Sequence, residues 1–220
     1  MGRLIVSKAE RKEREKEWRR NEIIDTAEKV FFSRGYENVK MDDIAKEMGL
    51  ARGTLYLYFK NKEDIYVSIA IRASKIVNQV FTECSQRKTT GIEKVRSLIM
   101  SYNEFYKKYP GYYSAYYHSG MFDQKDSPEL EELRRIRADS FRMVVDAVLE
   151  GIRDGTIRKD VQPEAATLVM LFSTNDVLNL TPVTMMYMKK FGLDQDGLFD
   201  ITLDMMMRSI ENVKKARKAA

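Results

Sequence analysis

Apolar positions recur at helical spacing along almost the whole chain, and only a few residues interrupt them. Ile23, Ile24, Ala27, Val30 and Phe31 share one face of a segment that opens at Ser7, where Glu10 completes a capping box, and stops at Gly35. The outer half of that segment places Glu10/Arg14 and Glu15/Arg19 four apart and reads as solvated. A second helix is predicted from about Met41 to Met48, ending at Gly49, and a short third from about Arg52 to Phe59. Asn61 with Asp64 caps a fourth that runs to Ser85 or Gln86, roughly 36 Å at 1.5 Å per residue. Thr90 and Glu93 open a fifth, which stops before Tyr109-Pro110-Gly111. After the aromatic segment Tyr112 to Phe122, Ser127-Pro128 starts a long helix that ends at Asp154-Gly155. Pro163 begins another, Thr181-Pro182 restarts or kinks it, and the last runs from about Asp196 into a basic tail. The expected fold is all-α, with about nine helices and no internal repeat.

Composition narrows the class. The chain has 220 residues, 44% hydrophobic and 32% charged, which fits a soluble globular protein and excludes a disordered one. Cys84 is the only cysteine and His118 the only histidine, so neither an intrachain disulfide nor a Cys/His zinc site can form, and no metal or other cofactor is expected. The most apolar run, Leu168 to Phe172, gives way to Ser173, Asn175 and Asp176, too short for a membrane helix. The N-terminus has no cleavage signature, and the cytoplasm is the expected compartment. Of the net charge of +5, residues 1–20 carry +4 (eight basic against four acidic) and residues 208–220 another +4 (five against one), leaving the body mildly acidic. Basic ends admit two readings, an acidic partner such as nucleic acid or simple solvated tails.

Residues 41–59, MDDIAKEMGLARGTLYLYF, hold the elements of a helix-turn-helix. Ala45 is small where two helices cross, Gly49 supplies the positive φ of a turn, and Leu55 returns an apolar side chain to the same core. Ile44, Met48, Leu55 and Phe59 then face Ile24, Ala27 and Phe31. Arg52, Gly53, Thr54, Tyr56, Leu57 and Tyr58 remain largely outside, an aromatic surface that packing alone explains poorly. A major groove about 12 Å wide admits such a helix. The bland alternative makes the tyrosines rim residues and Arg52 and Lys62 solvated charges.

The stretch from Arg20 to Ile65, with AEKVFFSRGY, DDIAKEMG, GTLYLYF and KNKED in register, resembles the N-terminal domain of the TetR (tetracycline repressor) family of bacterial transcription regulators. GIRDGTIRKDVQPEAA at 151–166 also resembles the family. The resemblance implies an all-helical homodimer with three parts: residues 1–16 as a basic extension of helix 1, residues 17–77 as the DNA-binding domain with its helix-turn-helix at about 40–59, and residues 78–220 for effector binding and dimerisation. It implies that Arg52, Thr54, Tyr56 and Tyr58 approach bases or phosphates of double-stranded DNA, that Gly53 lets the backbone come close, and that Lys62 holds a phosphate. Lys40 and Lys60 join this basic track, which predicts affinity falling steeply with salt. Three residues depart from the family pattern. Lys40 replaces the usual Thr cap of the second helix, worth about 1 kcal/mol. Ala51 replaces the usual Ser cap of the third. Leu57 offers no hydrogen bond, and a thymine methyl is its natural target.

Two further features bear on function. On the last helix Leu198, Phe199, Ile201, Leu203, Met205, Met206, Met207, Ile210 and Val213 fill an arc of roughly 240°, against ~100° for a helix with one buried face. A second chain is the simplest partner, joined through this helix and the one from Pro163; a central helix of a monomeric core is the alternative. Tyr102, Phe105, Tyr106, Tyr109, Tyr113, Tyr117, His118, Met121 and Phe122 concentrate aromatics, most of them core, a subset of them candidates for a ligand cavity with Met143, Phe172 and Asn175. Cys84 reads as buried and inert. Taken with these features, the resemblance implies a ligand-responsive, palindrome-binding regulator, a repressor as most of the family are, released by a small, largely apolar effector. The alternative is a regulator whose C-terminal domain senses a protein partner. No paired His/carboxylate motif, nucleophile elbow or phosphate loop points to an enzyme.

Overall fold

The computed structural model describes residues 7–122 and 127–213. The side chain of Met121 and the basic residues Arg3, Lys214, Lys215, Arg217 and Lys218 lie outside the described residues. Among those described, ten α-helices follow one another: α1 (Lys8–Arg34), α2 (Met41–Glu47), α3 (Arg52–Tyr56), α4 (Lys62–Ser85), α5 (Gly91–Lys108), α6 (Pro110–His118), α7 (Pro128–Asp154), α8 (Pro163–Leu178), α9 (Pro182–Phe191) and α10 (Gln195–Ile210). The fold is all-α, as expected, and the Thr181-Pro182 signal marks a separate helix rather than a kink. The Thr181 hydroxyl accepts from the Thr184 N–H and so caps α9. No described helix is long and apolar enough to cross a membrane.

The polypeptide divides into two compact units. The first takes Met1–Ala73 and Gly111–Leu133, the second Ser74–Pro110 and Arg134–Ala220. This division departs from a boundary between 77 and 78 in two respects: the break falls between Ala73 and Ser74, and residues 111–133, with the aromatic segment, return to the N-terminal unit. Gly111 is the reason it fits. A Cβ there would lie 2.5 Å from the Phe32 ring, so only glycine lets α6 approach α1 so closely.

The first unit is built as the apolar spacing requires. Ser7 and Glu10 form the predicted capping box, and Gly35 ends α1 at φ 76°. Ile23, Ile24, Ala27, Val30 and Phe31 are buried, joined by Val39, Ile44, Leu55, Phe59, Ile65 and Ala115 in one core. Around it, charged groups tie α1 to its neighbours. Arg72 of α4 pairs with Asp25 at 2.5 Å and Glu28 at 2.8 Å, while the Tyr112 hydroxyl of α6 donates to the other Glu28 oxygen at 2.9 Å.

Burial, together with the Glu28 carboxylate, pushes the Tyr112 phenol from an ordinary 10.0 up to about 12. Between these values the folded chain keeps a proton that the unfolded chain releases, so the first unit should lose stability as pH rises from about 10 to 12 and be unaffected below. Tyr112→Phe should make that loss shallower in urea titrations at stepped pH. Tyr36 leaves a residual slope, since burial and the nearby Glu63 carboxylate raise its phenol as well.

In the second unit α10 lies on α8 and α5. Phe199, Leu203, Met206, Met207 and Ile210 are buried with Val95, Leu98, Met170 and Val177. Cys84 is buried, its thiol 3.9 Å from the Ser97 carbonyl. α10 does not run on into the tail. Arg158 N–H donates to the Ile210 carbonyl at 2.9 Å and Asn212 N–H to that of Thr156 at 2.8 Å, so the loop after α7 pulls the backbone out of the helix.

Candidate nucleic-acid interface

The turn between α2 and α3 is short because Gly49 adopts φ 64° and the Leu50 N–H returns to the Ala45 carbonyl at 2.9 Å. Leu55, fully buried, anchors α3 from its inner side, and Phe59 does the same one turn later. The predicted third helix to Phe59 is shorter than expected, α-helical only to Tyr56 and continued by single turns through Phe59. At the N-terminus of α2 the missing cap is partly replaced, since the Asp43 carboxylate accepts the Lys40 N–H at 2.8 Å.

With Leu55 inward, the outer face of α3 is set. Arg52, Gly53, Tyr56 and Leu57 are exposed, Leu57 by 77%. Thr54 is half-buried, and Tyr58 turns onto the core. A Cβ at Gly53 would meet nothing within 4 Å, and its φ is not positive, so neither packing nor backbone conformation within this chain calls for glycine there. Lys40 and Lys60 are exposed beside this face.

Two basic groups have other work than an open surface would suggest. The Lys62 ammonium donates to the Tyr36 carbonyl at 3.0 Å and the Val39 carbonyl at 3.1 Å, lying 4.2 Å over the Tyr36 ring. Two of its three donors thus brace the loop before α2, leaving one for a phosphate. Arg20 lies over the Phe59 ring at 4.6 Å and donates to Ser68 and Glu129, both at 3.1 Å. Sequence periodicity missed one participant: Asp42, in the first turn of α2, pairs with Arg52 Nε at 3.1 Å. Nothing in the spacing announces a contact ten residues apart across a turn.

The ligand-cavity candidates do not gather in one place. Tyr113, Tyr117, His118 and Phe122 belong to the first unit, where Tyr113 stacks on Tyr117 and Phe122 packs against the helix-turn-helix core. His118 is exposed, its Nδ1 2.9 Å from the Ser114 carbonyl. The second unit holds Tyr102, Phe105, Tyr106, Tyr109, Met143, Phe172 and Asn175. Buried Tyr102 donates its hydroxyl to the Asn175 side-chain oxygen at 3.1 Å, with Phe105 stacked at 6.3 Å and Tyr109 next to it. Tyr106 donates to Gln195 at 3.3 Å, and the Met143 sulfur accepts from Thr82. Phe172 stands 62% exposed on α8. A cavity of about 780 Å³ in the same unit, lined by Ile92, Glu93, Arg96, Met207 and Arg208 among others, includes none of these aromatics.

Comparison with known proteins places these features. Residues 23–69 match the description "Bacterial regulatory proteins, tetR family". The chain is 28% identical over 192 residues to a fatty acid metabolism regulator protein of Bacillus subtilis strain 168, covering 87% of this chain and 95% of that one. Among solved structures, the regulator FadR of Bacillus subtilis in complex with stearoyl-CoA superposes with a TM-score of 0.63 at 24% identity, over 84% of this chain and 96% of that one. AibR in complex with isovaleryl coenzyme A and operator DNA gives 0.65 at 17% identity, over 85% and 97%.

Proposed function

Because this chain belongs to the TetR family of bacterial regulatory proteins, we propose that it is a dimeric repressor that reads a palindromic operator with α3 and is released by a small effector carrying a long apolar group. The observation that carries the DNA reading is the outward face of α3. Buried Leu55 fixes the helix, while Arg52, Gly53, Tyr56 and Leu57 stay exposed, with nothing within 4 Å of a Cβ at Gly53. Arg52 and Leu57 are the side chains suited to base edges, Lys40, Lys60 and the spare donor of Lys62 to phosphates, which position but do not specify. A protein that binds operator DNA of a bacterium works in the cytoplasm, the compartment this reading implies.

Apolar side chains left exposed on α8 and α10 support the dimer. Val169 and Phe172 on α8, and Ile201 and Met205 on α10, stand open to solvent, Met205 by 67%. Paired across a two-fold axis, these two helices make a four-helix bundle, and the two-fold symmetry matches that of a palindromic operator, whose half-sites lie about 34 Å apart.

The effector reading rests on relatedness to a fatty acid metabolism regulator and on two structural neighbours that hold acyl-coenzyme A molecules. It assigns this chain an acyl thioester, with the apolar part among the aromatics of the second unit and the Tyr102–Asn175 pair as a polar contact. The effector would act through α4, which contributes its first half to one unit and its second half to the other. The coupling between effector and operator is then about 1–3 kcal/mol, a roughly 5- to 150-fold loss of operator affinity.

The test uses the full chain, its mass by sedimentation, duplexes selected from a random pool, and fluorescence of Trp18, the only tryptophan. A dimer that selects a palindrome and is released by long-chain but not short-chain acyl-CoA is the expected result. A monomer, or no duplex held above the nonspecific level, overturns the DNA reading; operator binding indifferent to every acyl-CoA transfers the sensing role to a protein partner.

A further inference from the structure

Arg52, the one cation of α3, is not free. Asp42 pairs with Arg52, one carboxylate oxygen lying 3.1 Å from Nε and the other accepting a hydrogen bond from Nη1 at 3.3 Å. Nη2 donates to the Tyr56 hydroxyl at 3.4 Å, and the guanidinium lies 5.6 Å over the Tyr56 ring. Of the five N–H donors of an arginine, one on Nη1 and one on Nη2 are engaged, and the others remain for a contact with DNA. Two parallel donors are what a contact with guanine O6 and N7 needs.

The pair does little for the fold. Both side chains are well exposed, 65% for Arg52 and 60% for Asp42, where an ion pair contributes little to stability. Nor is Asp42 needed to cap α2, because Asp43 already accepts the Lys40 N–H. What the contact changes is the charge and orientation of Arg52 on the surface offered to DNA. A free arginine there would neutralise whatever phosphate it met, on any sequence. Paired with Asp42 it carries no net charge to phosphates and keeps its plane fixed on Tyr56.

We propose that Asp42 is a specificity-determining positioning residue, holding the Arg52 guanidinium on Tyr56 for base-edge reading and withholding its charge from phosphates. This rests on the DNA-binding role proposed above. Asp42 adds a second effect of the same sign, since its carboxylate beside a duplex repels the backbone of every sequence alike and so penalises nonspecific binding.

The experiment measures the full chain and its D42A and D42N variants on the selected operator and on an unrelated duplex, across a salt series. In D42A the unrelated duplex should bind more tightly, and the slope of log affinity against log salt should steepen by about 0.9 per freed arginine, or about 1.8 for a dimer. The preference for operator over unrelated duplex should fall about tenfold per half-site. D42N, which keeps one acceptor and loses the charge, should show the same steeper slope with a smaller loss of preference. Adding R52A to D42A should return the slope to that of the parent. An unchanged slope and preference in D42A, or equal weakening on both duplexes at constant slope, overturns the positioning role while the DNA reading stands. A parent chain with no preferred duplex overturns both.

Discussion

A chain carrying Gly53→Leu is expected to fold at least as stably as the parent and to bind its operator about a hundredfold less tightly, roughly 1.4 kcal/mol for each half-site. The two halves of this expectation come from one observation. Nothing lies within 4 Å of a Cβ at position 53, and the backbone there is not left-handed. Leucine is a better helix former than glycine by about 0.8 kcal/mol, so α3 should gain rather than lose. A loss of binding must then come from something that approaches the backbone from outside, and in the proposed complex that is the wall of the major groove. Thermal unfolding and gel-shift titration of the same preparation separate the two. Unchanged operator affinity would mean that DNA does not come near the α3 backbone, and would remove Gly53 from the interface.

The second large effect concerns stability. Gly91→Ala should destabilise the second unit by about 3 kcal/mol, the upper end of the usual range for overpacking. A Cβ at Gly91 would lie 2.0 Å from the Gly151 nitrogen, 2.3 Å from its Cα and 2.7 Å from the Ala147 carbonyl oxygen. All three are backbone atoms of α7, so no side chain can rotate away and the two helices must separate. The Gly91 N–H, which donates to the Asp154 carboxylate at 2.7 Å, would be pulled off its acceptor as well. In a chain of this size the melting temperature should drop by about 6–12 °C. Gly151→Ala is the natural comparison, because its Cβ would meet the Ile157 side chain at 2.5 Å and a rotamer change can relieve part of the clash. Gly120→Ala, with nothing within 4 Å, should leave the melting temperature close to the parent's. Equal melting temperatures for Gly91→Ala and Gly120→Ala would show that α5 and α7 have more freedom to move apart than this packing allows.

Much of this architecture is legible in the sequence, and the reason is that the signals are local. Ser7 with Glu10, Thr90 with Glu93, Pro163, Thr181-Pro182 and the glycines at 35, 49 and 155 each act within one helical turn, and each marks a helix end in the structure. The face of α1 and the inward turn of Leu55 follow from the 3.6-residue period in the same way. Arg52, Gly53, Tyr56 and Leu57 on the outer face of α3 are positions the core does not use, whereas Tyr58, expected with them, packs on the core.

Where local signals end, the reading diverges from the structure. The aromatic run from Tyr112 looks like one cluster because its residues are adjacent in sequence, yet it packs on α1 while Tyr102, Phe105 and Tyr109 serve the second unit. What separates them is the missing Cβ of Gly111 against Phe32, a contact 79 residues long in sequence. α10 stops at Ile210, although its apolar pattern runs on to Val213, because the distant 156–158 loop takes over the backbone there: the Arg158 N–H donates to the Ile210 carbonyl and the Thr156 carbonyl accepts from the Asn212 N–H.

The sequence by itself determined most of the helices and their order, the buried face of α1 and the helix-turn-helix with its exposed α3, since these depend on interactions between residues a few positions apart; α6, within the aromatic run, carries no such signal. Only the tertiary structure decided what the exposed charges are doing. Lys62 braces the Tyr36 and Val39 carbonyls with two of its three donors, Arg20 is held by Phe59, Ser68 and Glu129, and Arg52 is paired with Asp42 and Tyr56 with donors to spare. A charge is available to a ligand only if no nearer partner holds it, and such partners come from segments that periodicity cannot place in space.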